Sequence, residues 1–251
     1  MNYLEGQQAA KAEFSGLSAR NSHDYFSLFR QNGYKLVIFD FDGTLADSFS
    51  WFLRVINEVA DIYRFRRIRV EELPMLRTYD AKSMLEHVGI PKWKLPLVQR
   101  HLRKQMTCDI GNIVLFPGID SLLPRLRAQG IVLAIVSSNS LINVCGVLGR
   151  RNASWIQHYE CDAPILGKRV KLRRVLRNSG VLPSEAIFIG DEIRDLLAAH
   201  AAKIAFGAVS WGVNSAESLS KHSPEEVFSS VDEIAERVIR VPRDQVSTTS
   251  R

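Results

Sequence analysis

The sequence has few cysteines and no long hydrophobic run. Its 251 residues include three cysteines, Cys108, Cys145 and Cys161, and they form no CxxC pair. An odd, scattered set excludes a disulfide scaffold and a cysteine-ligated zinc site, and it is typical of a reducing compartment. The longest apolar run, 131–136, is far shorter than the roughly 20 residues of a membrane-spanning helix. The first residues are polar and mixed in charge, so we expect no secretory signal and a cytoplasmic protein.

Low-complexity tracts and internal repeats are absent too, and the excess of positive charge is small. The chain is 46% apolar and 24% charged, with a net charge of +6, which excludes disordered and fibrous classes. The excess is regional: residues 48–115 carry twelve basic and seven acidic groups, and 161–180 carry six and one. This distribution fits attraction of anionic substrates into a cleft, although solvated helix faces would give the same balance. A nucleic-acid groove is disfavoured because the basic runs lack interleaved aromatic residues.

Short apolar runs alternate with helical patterns along the chain. Continuous apolar strands are typical of a parallel sheet covered on both faces. Strand and helix patterns in alternation predict a doubly wound α/β fold. The strand-like runs are 36–39, 131–136, 186–189 and 204–209, and the helical patterns between them are 121–129, 171–178 and 192–202.

One connection is too long to be a structureless loop. The segment between the first strand and Phe116-Pro117-Gly118 contains helical patterns at 50–63 and 95–106, and loops of this length without structure are rare. We therefore predict a small helical cap domain at 48–115, inserted after the first strand. The core domain comprises 34–47 and 116–251. Residues 1–33 form a peripheral extension, in which 24–29 is a candidate short helix.

Polar residues follow the predicted strands where each strand ends. Asp40 and Asp42 follow the first strand, Ser137 follows the second, and Asp191 and Asp195 follow the third. Ligands of open α/β sheets bind at this edge, and the insert would cover it. Crowded carboxylates repel one another and raise each other's pKa values. A hard divalent cation relieves that repulsion, so we predict a Mg²⁺ site formed by Asp40, Asp42 and Asp191.

These residue types favour phosphoryl transfer. Asp40 at the strand tip is the candidate nucleophile, since a carboxylate can form an aspartyl-phosphate. Asp42 is the candidate acid and base, protonating the leaving alcohol and later activating water. Lys168 would neutralise charge on the transferring oxygens and Ser137 would donate a hydrogen bond. Asp195, one helical turn after Asp191, would hold Lys168 or a metal-bound water.

Together these motifs resemble the haloacid dehalogenase superfamily, in the branch similar to phosphoglycolate phosphatase. Asp40-Phe-Asp-Gly-Thr-Leu-Ala-Asp-Ser is similar to the first motif, and Ser137 and Lys168 to the second and third. Gly190-Asp191 with Asp195 four residues on nearly matches the fourth. The resemblance runs from about residue 34 to about 238. It implies a Rossmann-like core, a helical cap, Mg²⁺, and phosphomonoester hydrolysis through an aspartyl-phosphate. It also implies that the backbone carbonyl of Asp42 binds the metal.

Several residues complete the predicted site. Lys171 is a rival of Lys168 for the phosphate, because the Pro that often follows this lysine in relatives is replaced by Arg169. Arg77 could reach a substrate carboxylate or lie in solvent, as could Lys82 and His87. Glu192 either supports the metal ligands without binding the metal itself, or only stabilises the start of the helix through the helix dipole. The remaining predicted substrate-binding residues are Gly43, Thr44, Ser138 and Asn139.

The sequence therefore predicts a Mg²⁺-dependent phosphatase acting on a small phosphorylated metabolite, with phosphoglycolate suggested by the resemblance. We expect no nucleic-acid or membrane partner, and any protein partner is open. A phosphomutase acting on a sugar phosphate and a catalytically silent binding module are the alternatives. A dehalogenase is disfavoured, because such enzymes lack the second carboxylate that Asp42 supplies.

Overall fold

The structure is a computed structural model that describes residues 33–164 and 167–239. The candidate helix at 24–29, and the extension predicted for 1–33 apart from Gly33, lie outside the described residues. Within the described ranges, every helix is too short or too polar to cross a lipid bilayer.

A parallel sheet of six strands forms the centre of the molecule, which confirms the predicted doubly wound α/β class. Its strands are β1 (Leu36–Phe39), β4 (Val132–Val136), β5 (His158–Glu160), β6 (Ala186–Gly190), β7 (Ala205–Val209) and β8 (Glu226–Phe228). The order across the sheet is β5-β4-β1-β6-β7-β8. The short edge strands β5 and β8 do not appear in the sequence analysis, because each has only three residues, two of them half-buried.

A second, two-stranded pair stands at the foot of the insert. The strands β2 (Ala46–Asp47) and β3 (Val114–Leu115) are antiparallel. The chain therefore leaves the core and returns to it at adjacent points. Between them lie the helices α1 (Phe49–Tyr63), α2 (Leu73–Leu76), α3 (Ala81–Val88) and α4 (Leu95–Cys108).

Within residues 116–164 and 167–239, six further α-helices cover the sheet. They are α5 (Ile119–Ala128), α6 (Leu141–Ala153), α7 (Lys168–Ser179), α8 (Ile193–Ala202), α9 (Ala216–Ser220) and α10 (Val231–Val238). Successive side chains of a strand point to opposite faces. Val37 and Phe39 therefore pack with α5, α6 and α10, while Leu36 and Ile38 pack with α7 and α8. Because both faces are buried, β1 carries no polar side chain until Asp40, where the strand ends.

Candidate active site

Asp40 lies at the carboxyl end of β1, between β4 and β6. Its backbone N–H donates to the carbonyl of Ile189 at 2.8 Å, and only 2% of the residue is exposed. Its Oδ1 accepts from the N–H of Phe41 at 2.7 Å, and its Oδ2 lies 2.5 Å from Nζ of Lys168. The same Nζ lies 2.7 Å from Oδ1 of Asp195. A buried ammonium thus stands between two buried carboxylates.

The first turn of α7 contains both candidate lysines, and they contact different acids. Lys168 is 2% exposed and pairs with Asp40 and Asp195. Lys171 lies 3.0 Å from Glu160, at the end of β5. Of the two candidates, the structure places Lys168 at the carboxylate cluster.

Burial and charge act against each other on Asp40. Burial raises the pKa of this carboxyl group, but the ammonium of Lys168 and the guanidinium of Arg194 bring it below its ordinary value. Burial lowers the pKa of Lys168, while the charges of Asp195 and Asp40 raise it further, above its ordinary value. Asp40 is therefore ionised and Lys168 protonated at neutral pH.

Asp42 sits beside this pair and is held by Asn139. The amide nitrogen of Asn139 donates to Oδ2 of Asp42 at 3.0 Å, and its backbone N–H donates to Oγ of Ser137 at 3.0 Å. Burial and the charge of Asp40 raise the pKa of Asp42 to about 6, against the hydrogen bonds from Ser48 and Asn139. The structure thus places Asn139, a predicted substrate-binding residue, on the second carboxylate. Asp42 can exchange protons near neutral pH.

Asp191, at the end of β6, is fixed by two donors. The hydroxyl of Thr44 donates to Oδ1 and the N–H of Val213 donates to Oδ2, each at 2.8 Å. Gly43 has a φ of +75°, and a Cβ there would lie 2.2 Å from Oδ2, so only glycine fits. Burial, with the charges of Glu192 and Asp40, raises the pKa of Asp191 to about 8. Thr44 and Gly43, predicted to bind substrate, are thus placed against this carboxylate.

The carboxylates fit a hard divalent cation. Among the described residues, Asp40, Glu192 and Asp195 offer oxygens that all lie within 4.8 Å of one another. Asp195 and Glu192 already pair with the cations Lys168 and Arg194. Asp42 and Asp191 instead have raised pKa values, caused by burial and by like charges. A cation that prefers oxygen ligands would relieve that repulsion, so the donor set suits Mg²⁺.

Two arginines that sequence reasoning missed stand at this site. Nε of Arg194 donates to Glu192 at 2.8 Å, Nη2 makes a second hydrogen bond to the same carboxylate, and the guanidinium lowers the pKa of Asp40. Arg103 of α4 donates through Nε to the carbonyl of Ser138 at 2.7 Å. Arg194 could have been identified from its position between Asp191 and Asp195 of the fourth motif. Nothing in the sequence indicates that Arg103 lies at the site.

Arg77 joins the insert to the loop after β7. Its Nε donates to the carbonyl of Val213 at 3.1 Å, and its Nη2 donates to that of Gly212 at 3.0 Å. In return, the side-chain amide of Asn214 donates to the carbonyls of Arg77 and Tyr79, each at 2.9 Å. The predicted substrate-binding arginine is therefore hydrogen-bonded to the loop that also holds Asp191.

A cavity of about 310 Å³ lies between the insert and the edge of the sheet. At its polar end it is lined by Asp42, Ser138, Asn139, Glu192 and Arg194. Helices α1 to α4 supply most of the remaining wall. We name this space the cap cavity.

Comparison with known proteins places these features in a family context. A family model described as haloacid dehalogenase-like hydrolase matches residues 37–209. The phosphoglycolate phosphatase of Synechococcus elongatus is 29% identical over 208 residues, which cover 82% of this chain and 98% of that protein.

Two solved structures share the fold. A Lactobacillus plantarum protein provisionally assigned as a phosphoglycolate phosphatase has a TM-score of 0.70 at 23% identity, covering 82% of this chain and 99% of its own. CbbY from Rhodobacter sphaeroides, solved in complex with phosphate, has a TM-score of 0.62 at 21% identity, covering 80% and 96%. At these identities the likeness bears on the fold alone.

Proposed function

We propose that this phosphatase, which belongs to the haloacid dehalogenase-like hydrolases and is similar to phosphoglycolate phosphatases, hydrolyses phosphomonoesters through an aspartyl-phosphate on Asp40. The observation that carries the proposal is the buried Asp40–Lys168–Asp195 triad, with Asp42 beside it. An ionised carboxylate next to a fixed ammonium suits attack on an anionic phosphoryl group.

In the first step, the carboxylate oxygen of Asp40 attacks phosphorus and the bond from phosphorus to the ester oxygen breaks. Asp42 gives its proton to that oxygen, which leaves as an alcohol. A pKa of about 6 suits Asp42 to this role, because the group carries a proton for part of the time near neutral pH. Lys168 and the hydroxyl of Ser137 would stabilise charge on the phosphoryl oxygens.

In the second step, Asp42 takes a proton from water, and the water oxygen attacks phosphorus. The acyl-phosphate bond breaks, which frees inorganic phosphate and restores the carboxylate of Asp40. Asp195 keeps the ammonium of Lys168 in place through both steps. Asn139 keeps Asp42 aimed at the reacting group through its hydrogen bond.

Asp40, Asp42 and Asp191 would hold Mg²⁺, with Asp42 contributing through its backbone carbonyl and with Glu192 and Asp195 as supporting acids. When bound, Mg²⁺ supplies positive charge that offsets the negative charge of the phosphoryl group and the carboxylates. Thr44 and the N–H of Val213 orient Asp191 for this role.

Residues 48–115 would act as a cap that covers the site, and the remaining described chain as the catalytic core. The hydrogen bonds of Arg77 and Arg103 to carbonyls of the core support this division. We take the substrate to be a small phosphorylated metabolite, and phosphoglycolate is the first compound to test. A cytoplasmic location stays a prediction from the dispersed cysteines.

The test is phosphate release from a panel of phosphomonoesters, with Mg²⁺ and with a chelator. Wild type should turn over only with the metal, and Asp40→Asn should lose at least about a thousand-fold in rate, because an amide is no nucleophile. Asp232→Asn, an exposed carboxylate on α10 and outside the site, is the matched control and should keep its rate. Equal activity of Asp40→Asn and wild type would overturn the proposal.

A further inference from the structure

The wall of the cap cavity is mostly apolar. Beyond its polar end, the lining side chains come from the inner faces of the four insert helices and the turns between them. On α3, for example, Ala81, Met84, Leu85 and Val88 face the cavity, at the spacing of one helix face. An apolar wall with a few polar groups at one end is the usual form of a site for an organic ligand.

These apolar side chains surround an open space and do not pack against one another across it. Buried side chains of the insert such as Ile56, Leu76 and Val98 line the cavity but belong to neither packed cluster of the described chain. Met84 and Leu85 on its wall are only half-buried. Well-packed interiors leave few voids larger than a water molecule, so a cavity of about 310 Å³ indicates room for a ligand.

The positively charged side chains on this wall already bind protein atoms. Among the described residues that line the cavity, these are Arg77, Arg103 and Arg194. Arg103 pairs with Asp162 at 3.0 Å and Arg194 pairs with Glu192, while Arg77 directs Nε and Nη2 to two carbonyls of the loop after β7. The same wall carries the carboxylates of Asp42, Asp80 and Glu192. An ionised carboxylate moved from water into apolar surroundings is costly unless a cation pairs with it. The cavity therefore disfavours a substrate whose organic part is itself an anion.

We infer that the organic part of the natural phosphomonoester is uncharged and largely apolar, and that it occupies the cap cavity with its phosphoryl group at the polar end. This inference rests on the proposed phosphatase function and deepens it. The cavity is continuous with Asp42 and Asn139, so one molecule can present phosphorus to the carboxylates and bury its apolar part under the insert. The volume is at the lower end of the roughly 300–1,000 Å³ found for drug-sized ligands, and glycolate would fill little of it.

The experiment compares kcat/KM for methyl, butyl and hexyl phosphate with that for phosphoglycolate, using the full chain and Mg²⁺. Each added methylene should raise kcat/KM roughly three- to four-fold until the cavity is full. Phosphoglycolate should rank with or below methyl phosphate. Binding is measured separately by calorimetry with methyl- and hexylphosphonate, which are not hydrolysed, and the longer compound should bind more tightly.

A substitution in the cavity wall tests whether the apolar part of the substrate binds there. Met84→Trp fills part of the space, so it should lower kcat/KM for hexyl phosphate at least about tenfold and leave methyl phosphate within about twofold. Glu86→Trp, on the exposed side of the same helix, is the matched control and should keep the wild-type preference. Turnover of methyl phosphate shows that each variant is folded.

The outcomes separate the two claims. Preference for phosphoglycolate over every alkyl phosphate would overturn this inference and leave the phosphatase proposal standing. Flat kcat/KM along the alkyl series, or equal losses on methyl and hexyl phosphate in Met84→Trp, would overturn it as well. No phosphate release from any ester would overturn the proposed function. In that case, phosphonate binding that does not strengthen with chain length would overturn this inference too.

Discussion

The carboxyl edge of the sheet and the cap cavity lie side by side and are built in opposite ways. At the edge, polar groups such as Lys168, Asp191 and Asp195 are buried, and each is fixed by a partner. In the cavity, apolar side chains such as Met84 and Leu85 remain half-buried. Buried charges are stable only when paired, so each charged group at the edge needs a partner in a fixed place. The cavity instead leaves apolar surface for a ligand to cover.

The largest effect should come from breaking the charge pairing at the edge. Lys168→Met leaves Asp40 and Asp195 without their shared ammonium, and we expect a loss of about 3–5 kcal/mol in the free energy of unfolding. Phosphate release should fall at least about a hundred-fold. Denaturant unfolding and phosphate release measure the two effects.

Lys171→Met is the matched control on the same helix. Lys171 is 22% exposed and shares Glu160 with Arg174, so its loss should cost about 0–1 kcal/mol. A loss as large as that of Lys168→Met would mean that charge pairing does not distinguish the edge from the surface.

Replacing one leucine in the packed core and one in the wall of the cap cavity next tests whether the two are packed differently. Leu123 on α5 is fully buried in a packed cluster, so Leu123→Ala should cost about 2–5 kcal/mol in the free energy of unfolding. Leu85 lines the cavity and is half-buried, so Leu85→Ala should cost less than half as much, because fewer contacts are lost. Equal costs by denaturant unfolding would show that the insert is packed like the core.

The pH dependence of stability tests the crowded carboxylates without metal. The pKa values of Asp42 and Asp191 in the folded chain, about 6 and about 8, exceed the roughly 4 of an unfolded aspartate. At these two groups the folded state therefore binds more protons, so their contribution to stability is fully present below about pH 4 and is lost as pH rises through the two folded-state values. In a chelator, the free energy of unfolding should drop by on the order of 1–3 kcal/mol between pH 5.5 and pH 8.

Thermal unfolding measures this slope, and Asp191→Asn should reduce it. Added Mg²⁺ should raise the melting temperature more at pH 8 than at pH 5.5, because protons no longer compete for the carboxylates. A melting temperature that rises with pH in the chelator would contradict the assignment.

The smallest effect should come from breaking the hydrogen bonds between the insert and the loop after β7, where the two regions meet. Asn214 is buried and donates to the carbonyls of Arg77 and Tyr79, so Asn214→Ala should cost about 1–2 kcal/mol. Because the insert would then be held less firmly on the core, KM should rise more than kcat falls. Ser220→Ala, an exposed hydroxyl on α9, should change neither value. A fall in kcat at constant KM would show that Asn214 acts on the chemistry and not on the position of the insert.

The family resemblance and the α/β class were predictable because both rest on local sequence. Four continuous apolar runs and the first motif are visible without any tertiary information. The family model confirms the resemblance. The edge strand β5 was missed, since three residues with one buried side chain leave too weak a pattern. Long-range contacts such as the hydrogen bond from Arg103 to the carbonyl of Ser138 could not be predicted. Nothing in the sequence relates helix α4 to the second motif.

The sequence by itself determined which side chains meet at the sheet edge, because parallel strands that end together bring the residues after them to one place. Only the tertiary structure showed that Lys168, and not Lys171, contacts Asp40, because side-chain direction depends on how α7 packs on the sheet. It also placed Thr44 and Asn139 on the carboxylates Asp191 and Asp42. The apolar cavity belongs to the tertiary structure as well, since helix periodicity shows which face is apolar but not whether that face closes on a core or on a ligand.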